Sequence, residues 1–368
     1  MTIAIDARII NSSTGRYVER LIHYLEELDK KHDYVILVQK KDLDFYRPTN
    51  PRFRIVEADF DNYSLVEQIG FKRLLDRVRP DLVHFCMPQQ PVLYRGRHVT
   101  TVHDLNLLQT YNSDKNYFVF HFKQLVGRLV FQWVGHNSAH IITPTNYVRD
   151  AYSAFAGINP DKVTVTLEGA ERGEVTPLPY KSLQNKKYIM YLGSESDYKN
   201  IRRLMQAHQL LLRRHPSLLL VLVGRLSGKN GAAAARNKAW AEKNGLANII
   251  FTDFVPDTQT TWLYRHTEGY VFPSLMEGFG LPALEAMHEG AAVISSNATC
   301  LPEVYGDAAE YFDPTDIHDM AAAIERVITD PKRQKELQRL GKAKAATYSW
   351  RRMAEQTLAV YNQVLAEG

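Results

Sequence analysis

The sequence predicts an α/β protein of two doubly wound, Rossmann-like domains, each a parallel sheet with helices on both faces. Three observations carry this reading. Short apolar runs alternate with helix-period stretches along the whole chain, the pattern of parallel strands buried on both sides. At 368 residues the chain exceeds one ordinary hydrophobic core. The alternation lapses once, between Glu168 and Lys187, in the polar stretch EGAERGEVTPLPYKSLQNKK, whose composition is that of an interdomain linker. The expected domains are therefore residues 1–170 and 180–349, with a terminal helix over 350–368 crossing back to the first.

In the first half the expected strands are TIAID, YVILV, FRIVEA, DLVHFC, HVTTVHD and HIITPT; in the second they are KYIMYLG, LLLVLVG, NIIFTDFV, GYVFPS and AAVISS. Ala232 to Ala235, after a Gly-rich turn, read as a helix start. The last stretch, from Ser349, is amphipathic, with Ser349 as N-cap and Met353, Leu358, Val360, Tyr361 and Leu365 available for burial. In open parallel sheets ligands sit beyond the carboxyl ends of the strands, so residues just after strands are the candidates for function.

Composition narrows the field. With 45% hydrophobic and 23% charged residues the chain can fold as a globular protein. A net charge of +4 suits anionic ligands and falls short of a nucleic-acid-binding footprint. Two cysteines, Cys86 and Cys300, build neither a disulfide framework nor a zinc site. The first residues read as a strand rather than a signal peptide, and the nearest approach to a membrane span, 117–135, carries Lys123, Gly127 and Arg128. A cytoplasmic protein is expected.

The most informative segment is FPSLMEGFGLPALEAMHEG, 272–290, a strand end followed by a Gly-rich turn and a helix with Pro282 in its first turn. Gly278 and Gly280 expose backbone amides at that helix start, a recipe for holding phosphate. Glu285 can accept from a ribose diol and Glu277 from sugar hydroxyls; in isolation they also read as a helix-dipole glutamate and a solvated one. Other patterns fail on spacing: GRLSGKN (224–230) is short of a Walker loop, and the HExxH start at His288 and Glu289 is ended by Ala292. Asp59 and Asp61 match the Asp-x-Asp pair of metal-dependent transferases, a pair common by chance.

The 272–290 segment resembles the EGFGLP-x-LEAM signature of retaining glycosyltransferases of family 4, group 1, which have the GT-B fold. The resemblance extends through YLGSESDYKNIRRLMQA (191–207), LVLVGR (220–225), IIFTDFVPDTQTTWLYRHTEGYVFPS (249–274), SSNATCLPEVYGDAAEYFDP (295–314) and YSW (348–350), in family order. It is thinner in the first half, at STGRY (13–17), TVHDL (101–105) and TPTNYVRD (143–150). It implies two domains facing each other across a cleft, the first binding an acceptor and the second a nucleotide-sugar donor. His103, Lys199 and Glu277 are the implied catalytic residues. Gly15, Gly193, Ser194, Arg225, Phe254, Val255, Gly278, Phe279, Gly280, Leu281 and Glu285 are implied to join Lys199 and Glu277 in binding the donor. Arg16 and Asp104 are candidates on the acceptor side.

Two departures stand out. The family usually has an arginine just before the lysine, where this chain has Tyr198, so a phosphate cation is missing or supplied by Arg225 or Arg203. The glycine common before the Phe-Val pair is replaced by Asp253. The implied reaction moves a hexosyl group, mannosyl from GDP-mannose favoured, onto a sugar, glycan or lipid-linked glycan hydroxyl with retention, with no metal and no cofactor. A peripheral membrane contact, motivated by the family's lipid-linked acceptors and by the segments 71–79 and 115–136, is a minority reading. A nucleotide-sugar 2-epimerase of the same fold and a catalytically weak nucleotide-sugar-binding scaffold are the rivals.

Overall fold

The computed structural model describes residues 1–12, 14–61, 64–109, 117–171, 173, 175–228 and 231–367. Ser13 of the STGRY segment, Asn62 and Tyr63 beside the Asp-x-Asp pair, Lys115 and Asn116 of the aromatic segment, Arg172 and Glu174 of the linker, and Lys229 and Asn230 lie outside the described residues. Two compact units account for the described chain.

The first unit, through Gly169, carries seven strands: β1 (Thr2–Asp6), β2 (Asp33–Val38), β3 (Phe53–Glu57), β4 (Leu82–Phe85), β5 (His98–Thr101), β6 (His140–Thr143) and β7 (Val163–Val165). All pair in parallel, in the order β3-β2-β1-β4-β5-β6-β7. Its helices are α1 (Gly15–Leu28), α2 (Lys72–Val78), α3 (Asn106–Gln109), α4 (Tyr117–Asn137) and α5 (Asn146–Ala156). Helix α5 shows the local logic. Thr145 caps it by accepting from the Val148 amide at 3.2 Å, and Gly157, at φ 65°, ends it.

The second unit, Ala170–Tyr348, carries β8 (Tyr188–Leu192), β9 (Leu219–Val223), β10 (Ile249–Phe251), β11 (Gly269–Phe272), β12 (Val293–Ser296) and β13 (Ala309–Phe312). These also pair in parallel, in the order β10-β9-β8-β11-β12-β13. Helices α6 (Ile201–Leu211), α7 (Ala232–Lys243), α8 (Asp257–His266), α9 (Leu281–His288), α10 (Leu301–Tyr305), α11 (Ile317–Thr329) and α12 (Pro331–Ala345) complete it. Each sheet reverses direction once, between β1 and β4 and between β8 and β11, which makes the crevice where such sheets take ligands.

The last helix, α13 (Trp350–Ala366), belongs to the first unit and packs along α1. Ser349 caps it by accepting from the Arg352 amide. Met353, Val360, Tyr361 and Leu365 are buried as their spacing suggests, while Leu358 is only half-buried. Tyr361 reaches the sheet, its hydroxyl 2.5 Å from His84 Nδ1, and His84 Nε2 lies 2.8 Å from Thr101 Oγ1. Burial, helped by the charge of His103, pushes His84 down to about 3, so this link is uncharged at neutral pH.

Two expectations shift. Ala170, expected in the first domain, and the described residues of 171–179, left between the domains by composition, go with the second unit, where the Leu178 amide donates to Thr258 O at 3.0 Å. Strands β7 and β13 had no clear signal, because each is a three- or four-residue edge strand with half-buried positions. No described helix is long and apolar enough to cross a membrane.

Candidate active site

In the second unit the candidate residues gather on the loops after β8 and β11, the two strands flanking the reversal. After β8 the chain turns at Gly193, whose φ of 147° is closed to most side chains and whose added Cβ would lie 2.9 Å from the Tyr191 hydroxyl. That hydroxyl donates to Ser194 O at 2.6 Å. A 3₁₀ turn, Asp197–Lys199, follows, and Asn200, at φ 63°, starts α6. After β11 the chain runs through Glu277 and Gly278 to Gly280, at φ 87°, which starts α9 without any side-chain cap.

The loops are tied together. The Leu275 amide donates to Tyr198 O at 2.8 Å, and Asn200 Nδ2 donates to Pro273 O at 3.0 Å and to Pro314 O at 2.7 Å. Lys199 and Glu277, 78 positions apart and both buried, thereby meet as an ion pair, Nζ to Oε1 at 2.5 Å. The Lys199 ammonium also lies 5.0 Å from the centre of the Tyr198 ring, so the residue that replaces the expected arginine offers a π face to the cation. Glu277 is fixed from behind: its amide donates to Thr299 Oγ1 at 3.1 Å and its carbonyl accepts from the Cys300 thiol at 3.3 Å. The Tyr305 hydroxyl holds Gly280 O at 2.6 Å.

The other donor-side candidates are placed as follows. Arg225 lies over the ring of Phe254, 5.3 Å from its centre, and Phe254 is 64% exposed, whereas Val255 is buried. Asp253 adopts φ 62°, which explains why a glycine suits this position, and its carboxylate accepts from the Leu226 amide at 3.0 Å. Arg203 donates to Asn200 Oδ1 at 3.0 Å. Phe279 is buried edge-on to Tyr348, 5.5 Å between ring centres, and so packs the unit's interior. Leu281 opens α9 half-buried, Gly278 is buried, and Glu285, one helical turn on, is buried as well.

A residue the sequence did not flag lies beside Ser194. Glu195 is buried, with Oε2 accepting from Asn237 at 3.0 Å, and burial pushes its carboxyl up to about 7 despite that bond. The folded chain therefore keeps this proton between about pH 4.5 and 7, where the unfolded chain has lost it. The sign follows: this group favours the folded state at low pH, and stability falls as pH rises towards 7. Glu195→Gln, neutral throughout, is expected to raise the melting temperature at pH 8, with a gain of up to about 3 kcal/mol, and to change it little at pH 5. Equal effects at both pH values would contradict the assignment.

In the first unit, Gly15 opens α1 where its backbone meets the preceding loop: an added Cβ would lie 1.9 Å from Ile10 O. Two residues on, the Tyr17 ring meets His103 edge-on, 4.7 Å between centres, joining the glycine loop to the loop after β5. His103 Nε2 lies 3.1 Å from Cys86 O and Nδ1 lies 3.4 Å from Glu168 Oε1. Glu168, which the sequence placed at the start of a linker, is thus a buried partner of a candidate catalytic histidine. Asp104 accepts from the Asn106 amide at 2.9 Å and from its side chain at 2.8 Å, an Asx turn that starts α3. Arg16 is half-buried. Asp59 is exposed and takes the Lys40 amide at 3.3 Å.

Comparison with known proteins gives the family. A model of glycosyltransferase family 4 matches residues 14–171, and one of glycosyl transferases group 1 matches 179–345. The chain belongs to glycosyltransferase family 4. Among members of family 4, the serotype-specific mannosyltransferase WbdA of Escherichia coli is 31% identical over 99% of this chain and 46% of its own length. The O-antigen chain mannosyltransferase B of Escherichia coli is 30% identical over 72% of this chain and 70% of its own. The chain thus spans about half of the first of these relatives. Sucrose-phosphate synthase from Thermosynechococcus elongatus, 18% identical, matches all of both chains with a TM-score of 0.80, so the family 4 chain has the GT-B fold.

Proposed function

We propose that the protein is a retaining hexosyltransferase that moves a mannosyl group, with GDP-mannose as the favoured donor, onto a hydroxyl of a sugar, glycan or lipid-linked glycan. The observation that carries this reading is the buried Lys199–Glu277 pair beside the uncapped start of α9. An ammonium and a helix N-terminus together match a diphosphate, which is the charge work a metal does in other transferases. The same pair couples the two ends of the donor: a phosphate that draws the ammonium away releases Glu277 to the hydroxyls of the sugar. Arg225 stacked on exposed Phe254 offers a flat cationic face to a nucleobase, and Glu285 suits the ribose diol. The names of the relatives favour mannose.

In this mechanism the acceptor oxygen bonds to the anomeric carbon on the face from which the diphosphate leaves. The breaking bond is that between the anomeric carbon and the diphosphate oxygen, and that oxygen takes the acceptor proton. Catalysis is then mainly electrostatic stabilisation of the leaving group. No metal or cofactor is required by this scheme. Exposed Leu125, Val126 and Leu129 on α4 would suit an acceptor held at a membrane.

The test is nucleoside diphosphate release from a panel of GDP-, UDP- and ADP-sugars in EDTA, with and without a mixed glycan pool. Acceptor-stimulated release from a mannosyl donor, with Glu285→Ala raising the donor KM, is the expected result. Release without acceptor and an altered free sugar would point to a 2-epimerase. Donor binding without turnover would point to a scaffold, the reading that Tyr198 in place of a cation favours. Turnover only with added manganese would overturn metal independence.

A further inference from the structure

A polar depression of about 520 Å³ lies on the first unit, between the loop that leads from β1 to Gly15 and the chain that follows β2. Its size falls within the roughly 300–1,000 Å³ of small-molecule sites. Arg8, Asn11, Ser12, Gln39, Lys41, Asp42 and Asp61 are among the residues that line it.

Asp42 is the unusual member. It closes the 3₁₀ turn Lys40–Asp42 and is only 2% exposed. Its Oδ1 accepts from Asn11 Nδ2 at 3.0 Å, but its Oδ2 is buried and has no donor among the described residues. A buried carboxylate oxygen without a donor is costly, and because Asp42 lines the depression, a turn of its side chain towards that space would give Oδ2 a ligand donor.

The charges around it narrow what that ligand is. Arg8 is held by both oxygens of Asp6, at 2.8 Å each, and by Glu67 Oε1 at 2.8 Å, while Gln89 covers Glu67 from the other side. One guanidinium thus faces two buried carboxylates, and the lining adds Lys41 against Asp42 and Asp61. A phosphate or carboxylate would meet this negative balance with the guanidinium fork already taken. A neutral molecule rich in hydroxyls would not, and amide and hydroxyl groups at Asn11, Ser12 and Gln39 match it on the rim.

Resting on the transferase reading, we propose that this depression binds a neutral hexose unit of the acceptor, with a sugar hydroxyl donating to Asp42 Oδ2. The acceptor is then a glycan whose recognised residue is uncharged, not a sugar phosphate or a uronic acid.

Saturation-transfer NMR on the full chain, without donor, tests it. The probes are methyl α-D-mannopyranoside, methyl α-D-glucopyranoside and methyl β-D-galactopyranoside, each against the corresponding hexose 6-phosphate. At least one methyl glycoside is expected to bind more tightly than its 6-phosphate partner, and Asp42→Asn to weaken it about tenfold or more. Exposed Asp61→Asn should weaken it less, and a circular-dichroism spectrum like the parent's in both variants shows that they fold. Failure of every methyl glycoside to bind, tighter binding of a 6-phosphate, binding only with added calcium, or unchanged binding to both variants would overturn the proposal. Sugar binding without any donor turnover would count against the transferase reading alone; acceptor-stimulated turnover that both variants leave unchanged would count against this site alone.

Discussion

Lys199→Ala is expected to lower turnover by about a hundredfold or more, because removing one preorganised donor from a developing charge costs on the order of 2.7–4 kcal/mol. The same change strands Glu277, buried and robbed of its 2.5 Å partner. Breaking a buried pair from one side costs about 3–5 kcal/mol of stability, so the single variant confounds folding with chemistry. The double variant Lys199→Ala with Glu277→Gln isolates the stability part: its melting temperature should recover, while its turnover, with both groups gone, stays low. Steady-state nucleotide release alongside thermal melting reads both. A Lys199→Ala enzyme within a few-fold of the parent would place the phosphate charge elsewhere, with Arg225 the first position to examine.

The second large effect is expected at Gly15. An alanine there puts its Cβ 1.9 Å from Ile10 O, 2.4 Å from Ile10 C and 2.6 Å from Ile9 O. Those are backbone atoms, which cannot swing aside as a side chain can. The loop must open, and overpacking of this kind costs about 1–3 kcal/mol. Asn11 and Ser12 move with it, as does the Tyr17 ring against His103. We expect Gly15→Ala to melt lower than the parent and to lose at least about tenfold in kcat/KM. Gly173→Ala is the control, since a Cβ at Gly173 meets nothing within 4 Å. A fully active, equally stable Gly15→Ala chain would show that the close approach is not needed.

The fold was legible because parallel strands leave near-continuous apolar runs such as LLLVLV and YVILV, which no solvent-facing element tolerates. The EGFGLP turn was legible because glycine at φ 87° and a proline in the first helical turn are local requirements. The pairing of Lys199 with Glu277 was not: each lies on its own loop, and only the parallel register of β8 and β11 brings the loops together. Glu168 was hidden for a related reason. It follows the last strand of its unit in a run of polar residues, and nothing nearby signals that its carboxylate turns back to His103. Asp253 shows the opposite case, a departure visible in the sequence that its left-handed backbone and its bond to the Leu226 amide accommodate.

The contact between Tyr361 and His84 joins positions 277 apart, and everything from Ala170 to Tyr348 is translated between them. On the ribosome the first unit emerges early, yet it lacks the helix that covers α1 until the whole second unit has been made. Because domains generally fold as units in order of synthesis, the nascent first unit waits with an uncovered apolar face and a histidine missing its hydroxyl partner. A chain cut before Trp350 leaves that face open, a lasting mark by which chaperones and proteases can distinguish it from one that carries the helix.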